Sequence, residues 1–392
     1  MLLSIALSMI PSLTACDGTK AGKSGDTASG GSDTSGATNC QDGEWMNPAF
    51  VGRNVEPDDA DGSFDRPYST FAEAFEMNAD CVGVLPATYS ESIVLPDTGA
   101  YVYAYSAGQF TTIEGDGLSP AVSIWTGEST MDGLIITGGG GYLVESQEDY
   151  GAETADIDCY HGGGIMVGGG SLTLMDMDIT GNELPPFSSV FDGVNRYDIT
   201  KSKGGGVFVM SGTLLMDNVR IEGNMAAEGG GIFVEAGAAA AIGQGIIRRN
   251  WAEYGGGFAT MGDLTATNTI ISRNESQYGA GGLVYGTANL GNVVIVGNDG
   301  VALVFDFGAG GFLKNSIVSA NTFGGIYGTA DNDFTSEYSN VYDNAGSDYN
   351  GFADPAGSNG NIPADPMYNA WSHDRTGDDD RSLAPGSPSI DA

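Results

Sequence analysis

From Gly204 onward the chain repeats itself at a fixed interval, and that interval limits the fold more than any single motif does. GGGVFV at Gly204 is followed by GGGIFV, GGGFAT and GAGGLVY. The first apolar residues after these clusters, Val207, Ile232, Phe258 and Leu283, differ in position by 25, 26 and 25. Each unit closes on an asparagine that follows an aliphatic residue: Asn182, Asn224, Asn250, Asn274, Asn298, Asn321 and Asn344, with steps from Asn224 of 26, 24, 24, 23 and 23. A second polar position lies six residues upstream of the first six of these, at Asp176, Asn218, Gln244, Asn268, Asn292 and Asn315.

A period of about 20 to 30 residues is the mark of a solenoid. Within each unit the apolar residues alternate, as in Ile232 and Val234 or Met216, Val219 and Ile221, and the runs between Gly and Asn are too short for a helix. The units are therefore expected to be coils of β-strand, about ten of them, stacked at ~4.8 Å into a shaft near ~50 Å long. Stacking at that spacing places the asparagines above one another as an amide ladder at one corner. The glycines suit corners that need positive φ or close backbone approach.

The spacing breaks twice. From Gly139 to Asn182 is 43 residues and from Asn182 to Asn224 is 42, whereas later coils place only Met225 to Glu228 between the ladder Asn and the next glycine cluster. Gly140 to His161 and Glu183 to Lys203 are thus expected to be loops inserted at one corner of consecutive coils, projecting side by side.

Ahead of the repeats, Phe71, Ala74 and Phe75 fall on one face of a short helix with Ser69 or Thr70 as N-cap. The stretch that follows, Val84-Leu85-Pro86-Ala87-Thr88-Tyr89 to Ile93, resembles the opening of right-handed parallel β-helix proteins of the pectate-lyase-like superfamily. In those proteins a helix plugs the first coil. The repeats, above all Gly223 to Ile232, are similar to those of polymorphic outer-membrane proteins, and Ala364 to Ala392 resembles the terminal segment of bacterial secreted β-helix proteins. The resemblance implies an all-β, right-handed parallel β-helix with a short N-terminal capping helix.

Met1 to Ile10 is apolar and leads to Leu13-Thr14-Ala15-Cys16, which resembles a bacterial lipobox. The run is about half the length a membrane-spanning helix needs. The expected organisation is a lipoprotein signal peptide at 1–15, a flexible Gly/Ser/Thr tether at 16–44 starting with a lipidated Cys16, the β-helix with its cap at 45–350, and an irregular C-terminal cap at 351–392. That places the protein in the bacterial cell envelope, held to the outer membrane or cell surface by lipid. Cys40 and Cys81 flank the N-terminal cap and are the expected disulfide; with lipid on Cys16, one thiol is left over. Three unpaired thiols are the alternative.

The balance of 51 acidic against 14 basic residues, a net charge of -37, excludes a nucleic-acid partner, since no basic footprint is available for phosphates. With two histidines in all, His161 and His373, there is little material for a zinc site or a Ser-His-Asp arrangement. Suitable groups concentrate only in the inserted loops. There Asp156 and Asp158 are candidate carboxylates, for catalysis or for calcium, with His161, Arg196 and Lys201 as candidate acid, base or cationic partners. Ordinary solvated acidic loops are the favoured reading of the same residues.

Three functions stay open. The favoured one is a lipid-anchored surface protein, adhesive or carbohydrate-binding and without catalysis, with a polysaccharide or another cell surface as partner. The alternative is a polysaccharide lyase or glycoside hydrolase working in a cleft between the two loops. The third is a passive coat.

Overall fold

The computed structural model describes residues 47–53, 59–106, 110–149, 154–191, 196–306, 308–370 and 380–390. Cys16 and Cys40, and with them the expected signal, tether and lipid anchor, lie outside the described residues.

The chain is a right-handed parallel β-helix. Among the described residues, sheet A has eleven strands from Pro48–Val51 to Asp333–Glu337, and sheets B and C have ten each. One coil shows the path: Thr213–Asp217 in sheet A, Val219–Glu222 in sheet B, the corner at Asn224, Met225–Glu228 in a smaller sheet D, the glycine corner, and Ile232–Val234 in sheet C. The next coil begins at Ala239, paired to Thr213.

The interior is built from rows of like residues. Ile179, Ile221, Ile247, Ile271 and Ile295 are register partners on successive strands of sheet B, and all are buried. Each is a fully desolvated aliphatic side chain, worth about 1.5 to 3 kcal/mol of burial.

The asparagine corner forms the expected ladder. Nδ2 of Asn224 donates to Oδ1 of Asn250, Asn250 to Asn274 and Asn274 to Asn298, each at 3.0 Å, with Asn182 beginning the series and Asn321 and Asn344 ending it. The same oxygens also accept the backbone N–H of the preceding rung. Asp348 closes the ladder by accepting from Asn344 at 2.8 Å. At the other end Gly139 stands in the ladder position, and its N–H donates to Oδ1 of Asn182 at 3.1 Å. The glycine cluster packs against this ladder: a Cβ on Gly231 would lie 2.4 Å from the carbonyl oxygen of Gly257 and 3.1 Å from Nδ2 of Asn250. Glycine and asparagine in the repeat are two halves of one corner.

The second polar track has a backbone cause. Asp176, Asn218, Asn268, Asn292 and Asn315 have φ between 50° and 54°, the left-handed region in which short polar side chains are tolerated.

The register of the repeat shifts at one place. Val207, Ile232 and Phe258 do pair across sheet C, but the partner of Phe258 is Gly282, and Leu283 pairs with Ala259. The fourth cluster is one residue longer, so Leu283 turns to the outer face. The ring of Phe258 takes up the room over Gly282, where a Cβ would meet its Cζ at 2.1 Å.

Both ends are closed by aromatic side chains. The helix Phe71–Glu76 has Thr70 as N-cap in a capping box with Glu73, and it buries Phe71 against Tyr89 at 5.6 Å between ring centres. At the other end Phe305, Phe334 and Phe352 cluster, with Phe305 and Phe334 at 4.7 Å. The plugs shield an apolar bore that a solenoid otherwise opens to water.

Candidate functional site

The two insertions are β-hairpins. Tyr142–Asp149 pairs antiparallel with Thr154–His161, and Ser188–Phe191 with Arg196–Lys203. Their second strands pair with each other in parallel, Asp158 opposite Thr200 and His161 opposite Lys203, so the two insertions do lie side by side. Sheet D continues from them through Met225–Glu228 to Trp251–Tyr254.

Strand alternation divides the residues that the sequence grouped together. Ile157, Cys159 and His161 are buried on one face of their strand, whereas Asp156 and Asp158 are exposed on the other. Lys201 is the register partner of Cys159 and is buried with it. The expected cleft joining Asp156 and Asp158 to His161 and Lys201 is therefore not formed: a sheet stands between them. Arg196 pairs with Phe191 at the far end of the second hairpin, and its side chain lies outside what is described. Among the described residues no group of three His, Cys, Asp or Glu side chains converges on one point. Cys81 and Cys159 are both disulfide-bonded, so no thiol is left over on Cys159; with four cysteines in the chain, a Cys40–Cys81 bridge would leave Cys16 as the partner of Cys159, and a Cys16–Cys159 bridge and a lipid on Cys16 exclude one another.

The inner face of sheet D carries a row that no motif in the sequence announces. His161, Lys203, Glu228 and Tyr254 are successive register partners, and Tyr254 stacks on Tyr278 at 5.6 Å. Opposite this row is the outer face of sheet C, with Met166, Phe208, Phe233, Ala259 and Leu283 in a second apolar cluster. His161 stacks on Phe208 at 4.7 Å, and Nζ of Lys203 sits 4.7 Å over the ring of Phe233 while pairing with Glu235 at 2.9 Å. Two atoms in the row are sealed from solvent without a hydrogen-bond partner, Nδ1 of His161 and Oε2 of Glu228. Burial, helped by the charge of Lys203, holds His161 down at about 3. Burial also pushes the Glu228 carboxyl up to about 7, against the pull of Lys203 and Lys201. Glu228 belongs to the four-residue link that looked like a mere spacer, and only register across coils reveals its neighbours.

A groove lies elsewhere, along the outer face of sheet B. It holds about 670 Å³, with Ile135, Ile246 and Ile270 on its floor and Asn218, Gln244 and Asn268 along one edge. Phe110, 81% exposed, stands at its mouth. Arg220 is among its lining residues, paired with Asp178. A second hollow of about 290 Å³ carries the same pattern on past Asn292 and Val294 to Asn315 and Ile317, where Leu383 and Ser389 close it.

No protein-family model and no curated protein matches the chain. Among solved structures, the chain is similar to pectate lyase Pel9A, at 10% identity over 83% of each chain with a TM-score of 0.49. It is also similar to a pectin methylesterase from Aspergillus niger in deglycosylated form, at 15% identity over 81% of this chain and 90% of that one with a TM-score of 0.38. Likenesses this distant carry no information about activity.

Proposed function

We propose that the protein is a lipid-anchored surface shaft that binds a saccharide chain along the groove of sheet B without catalysis. The groove supports this reading. Its volume falls in the range that takes a ligand of a few rings. Its floor is half-buried aliphatic, suited to the C–H faces of sugar rings, and its edge offers one side-chain amide per coil for hydroxyl groups. Those amides repeat at the coil rise of about 4.8 Å, close to the length of one pyranose ring. Phe110 supplies an exposed ring for stacking at the mouth. In a chain with a net charge of -37 a neutral glycan fits better than a polyanionic one. The lipid on Cys16 and the tether rest on the sequence alone.

The test is binding to a panel of neutral and uronate polysaccharides, with unsaturated products and reducing ends read from the same incubations. Neutral glycan should bind without product, and Phe110→Ala together with Arg220→Ala should weaken binding at least tenfold. Binding that ignores both changes but disappears when the hairpins are deleted would move the site to the hairpins. Steady release of product would replace the binding reading with an enzymatic one.

A further inference from the structure

Lys203 and Glu235 are set up for more than an ion pair. Lys203 is 2% exposed at the base of the second hairpin, and Glu235 follows the sheet C strand Ile232–Val234 on the next coil. Nζ of Lys203 is 2.9 Å from Oε2 of Glu235, and the side chains are 3% and 15% exposed. The ring of Phe233 lies beneath Nζ, and Phe208 and Met210 belong to the same apolar cluster. Burying a Lys–Glu pair costs several kcal/mol per ion before their attraction repays any of it. Beside Lys203 in sheet D stands Glu228, whose Oε2 is closed off from water and bonded to nothing. The backbone N–H of Ala236 donates to the other carboxyl oxygen of Glu235 at 3.2 Å.

The geometry points to an intramolecular amide bond between Nζ of Lys203 and the side-chain carboxyl carbon of Glu235, formed in the folded chain with Glu228 as proton carrier. One proton passes from the ammonium to the Glu235 carboxylate, leaving a neutral amine and a neutral acid. Nζ attacks the carboxyl carbon, held at a high effective concentration by the fold, and the N–H of Ala236 steadies the oxygen that gains charge. The amine nitrogen gives its surplus proton to Glu228, and the proton Glu228 already held goes to the departing hydroxyl. One C–N bond forms, one C–O bond breaks, one water leaves, and Glu228 ends as it began. No oxidant, reductant or co-reactant is required. Burial, which pushes the Glu228 carboxyl up to about 7, keeps that starting proton in place below neutral pH. The bond fastens the inserted hairpin to the following coil, across the corner between sheets D and C.

Peptide mapping of the full-length, reduced and denatured protein tests this directly. The expected product is a peptide joining the segment with Lys203 to the segment with Glu235, lighter than their sum by one water and resistant to trypsin after Lys203. Lys203→Arg, which keeps the charge pair but cannot close the amide, should give only linear peptides. Glu228→Gln should leave most chains unlinked. Quantitative trypsin cleavage after Lys203 in the wild type, with linear peptides of full mass, would overturn the bond. Complete linkage in Glu228→Gln would overturn the role of Glu228, whether or not that variant is less stable.

Discussion

Oδ1 of Asn274 accepts two hydrogen bonds from Asn250, one from its side-chain Nδ2 and one from its backbone N–H, both at 3.0 Å. Asn274 in turn donates to Asn298 and to the carbonyl of Ile247. All of these groups are buried, so loss of one side chain strands several partners at about 1 to 3 kcal/mol for each group left unpaired. Asn274→Leu should therefore lower the unfolding free energy by more than ~3 kcal/mol. Asn344→Leu should cost less, because Asn344 is 8% exposed and ends the ladder on Asp348. Urea unfolding of both variants checks the order; equal losses would contradict the ladder as a cooperative element.

His161 and Glu228 give opposite pH dependences. The folded chain keeps His161 neutral, at about 3 against an ordinary 6.5, so its contribution is lost as pH falls from about 6.5 towards 3. The folded chain keeps Glu228 protonated, at about 7 against 4.5, so its contribution is lost as pH rises from about 4.5 to 7. Between about 4.5 and 6.5 the slopes cancel, and wild-type stability should be nearly flat there. His161→Gln should become more stable as pH is lowered through this window, and Glu228→Gln less stable, with slopes approaching about 1.4 kcal/mol for each pH step of one. Unfolding free energies measured across that window decide it. Parallel curves for the two variants would count against both assignments.

Shortening the two hairpins to four residues each, the length of Met225–Glu228, while keeping His161 and Lys203, should leave the shaft folded. Solenoid coils tolerate corner insertions because the strands above and below still stack, and the same holds for their removal. A cooperative thermal transition with unchanged β-sheet circular dichroism is the expected result. A molten or aggregated product would show that the hairpins hold the early coils together.

Cys16→Ala should release the protein from the membrane fraction or leave its apolar leader uncleaved. Fractionation with intact-mass measurement reads both. Unchanged membrane association without acyl mass on the wild type would exclude the anchor.

The ladder was legible in the sequence because each rung repeats one residue type at one interval, and the stacking of coils turns interval into contact. The side-by-side hairpins were legible for the same reason, as two breaks of nearly equal length. The left-handed corner at Asn218 and Asn268 was visible as a polar track but not as a backbone conformation, because nothing in one chain's composition separates the two. Two failures share a physical cause. Asp156 and His161 looked like neighbours because both lie in one insertion, but an odd separation in a strand puts them on opposite faces. Lys203 and Glu235 are 32 residues apart and meet only because the coil between them has its own length. Spacing along the chain predicts which rung a residue occupies; it does not say what stands across the corner.

Every rung of the ladder is made in the same sense, oxygen towards the N-terminal neighbour and nitrogen towards the C-terminal one, and consecutive rungs are interchangeable. Length in this molecule is therefore a quantity that changes by whole units. Excising 250–273 would bring Asn274 directly after Arg249, let Asn224 bond Asn274, and shorten the shaft by a single ~4.8 Å step. Copying the same segment would lengthen it by as much, so the span of the shaft is set by how many times one sentence of sequence is repeated.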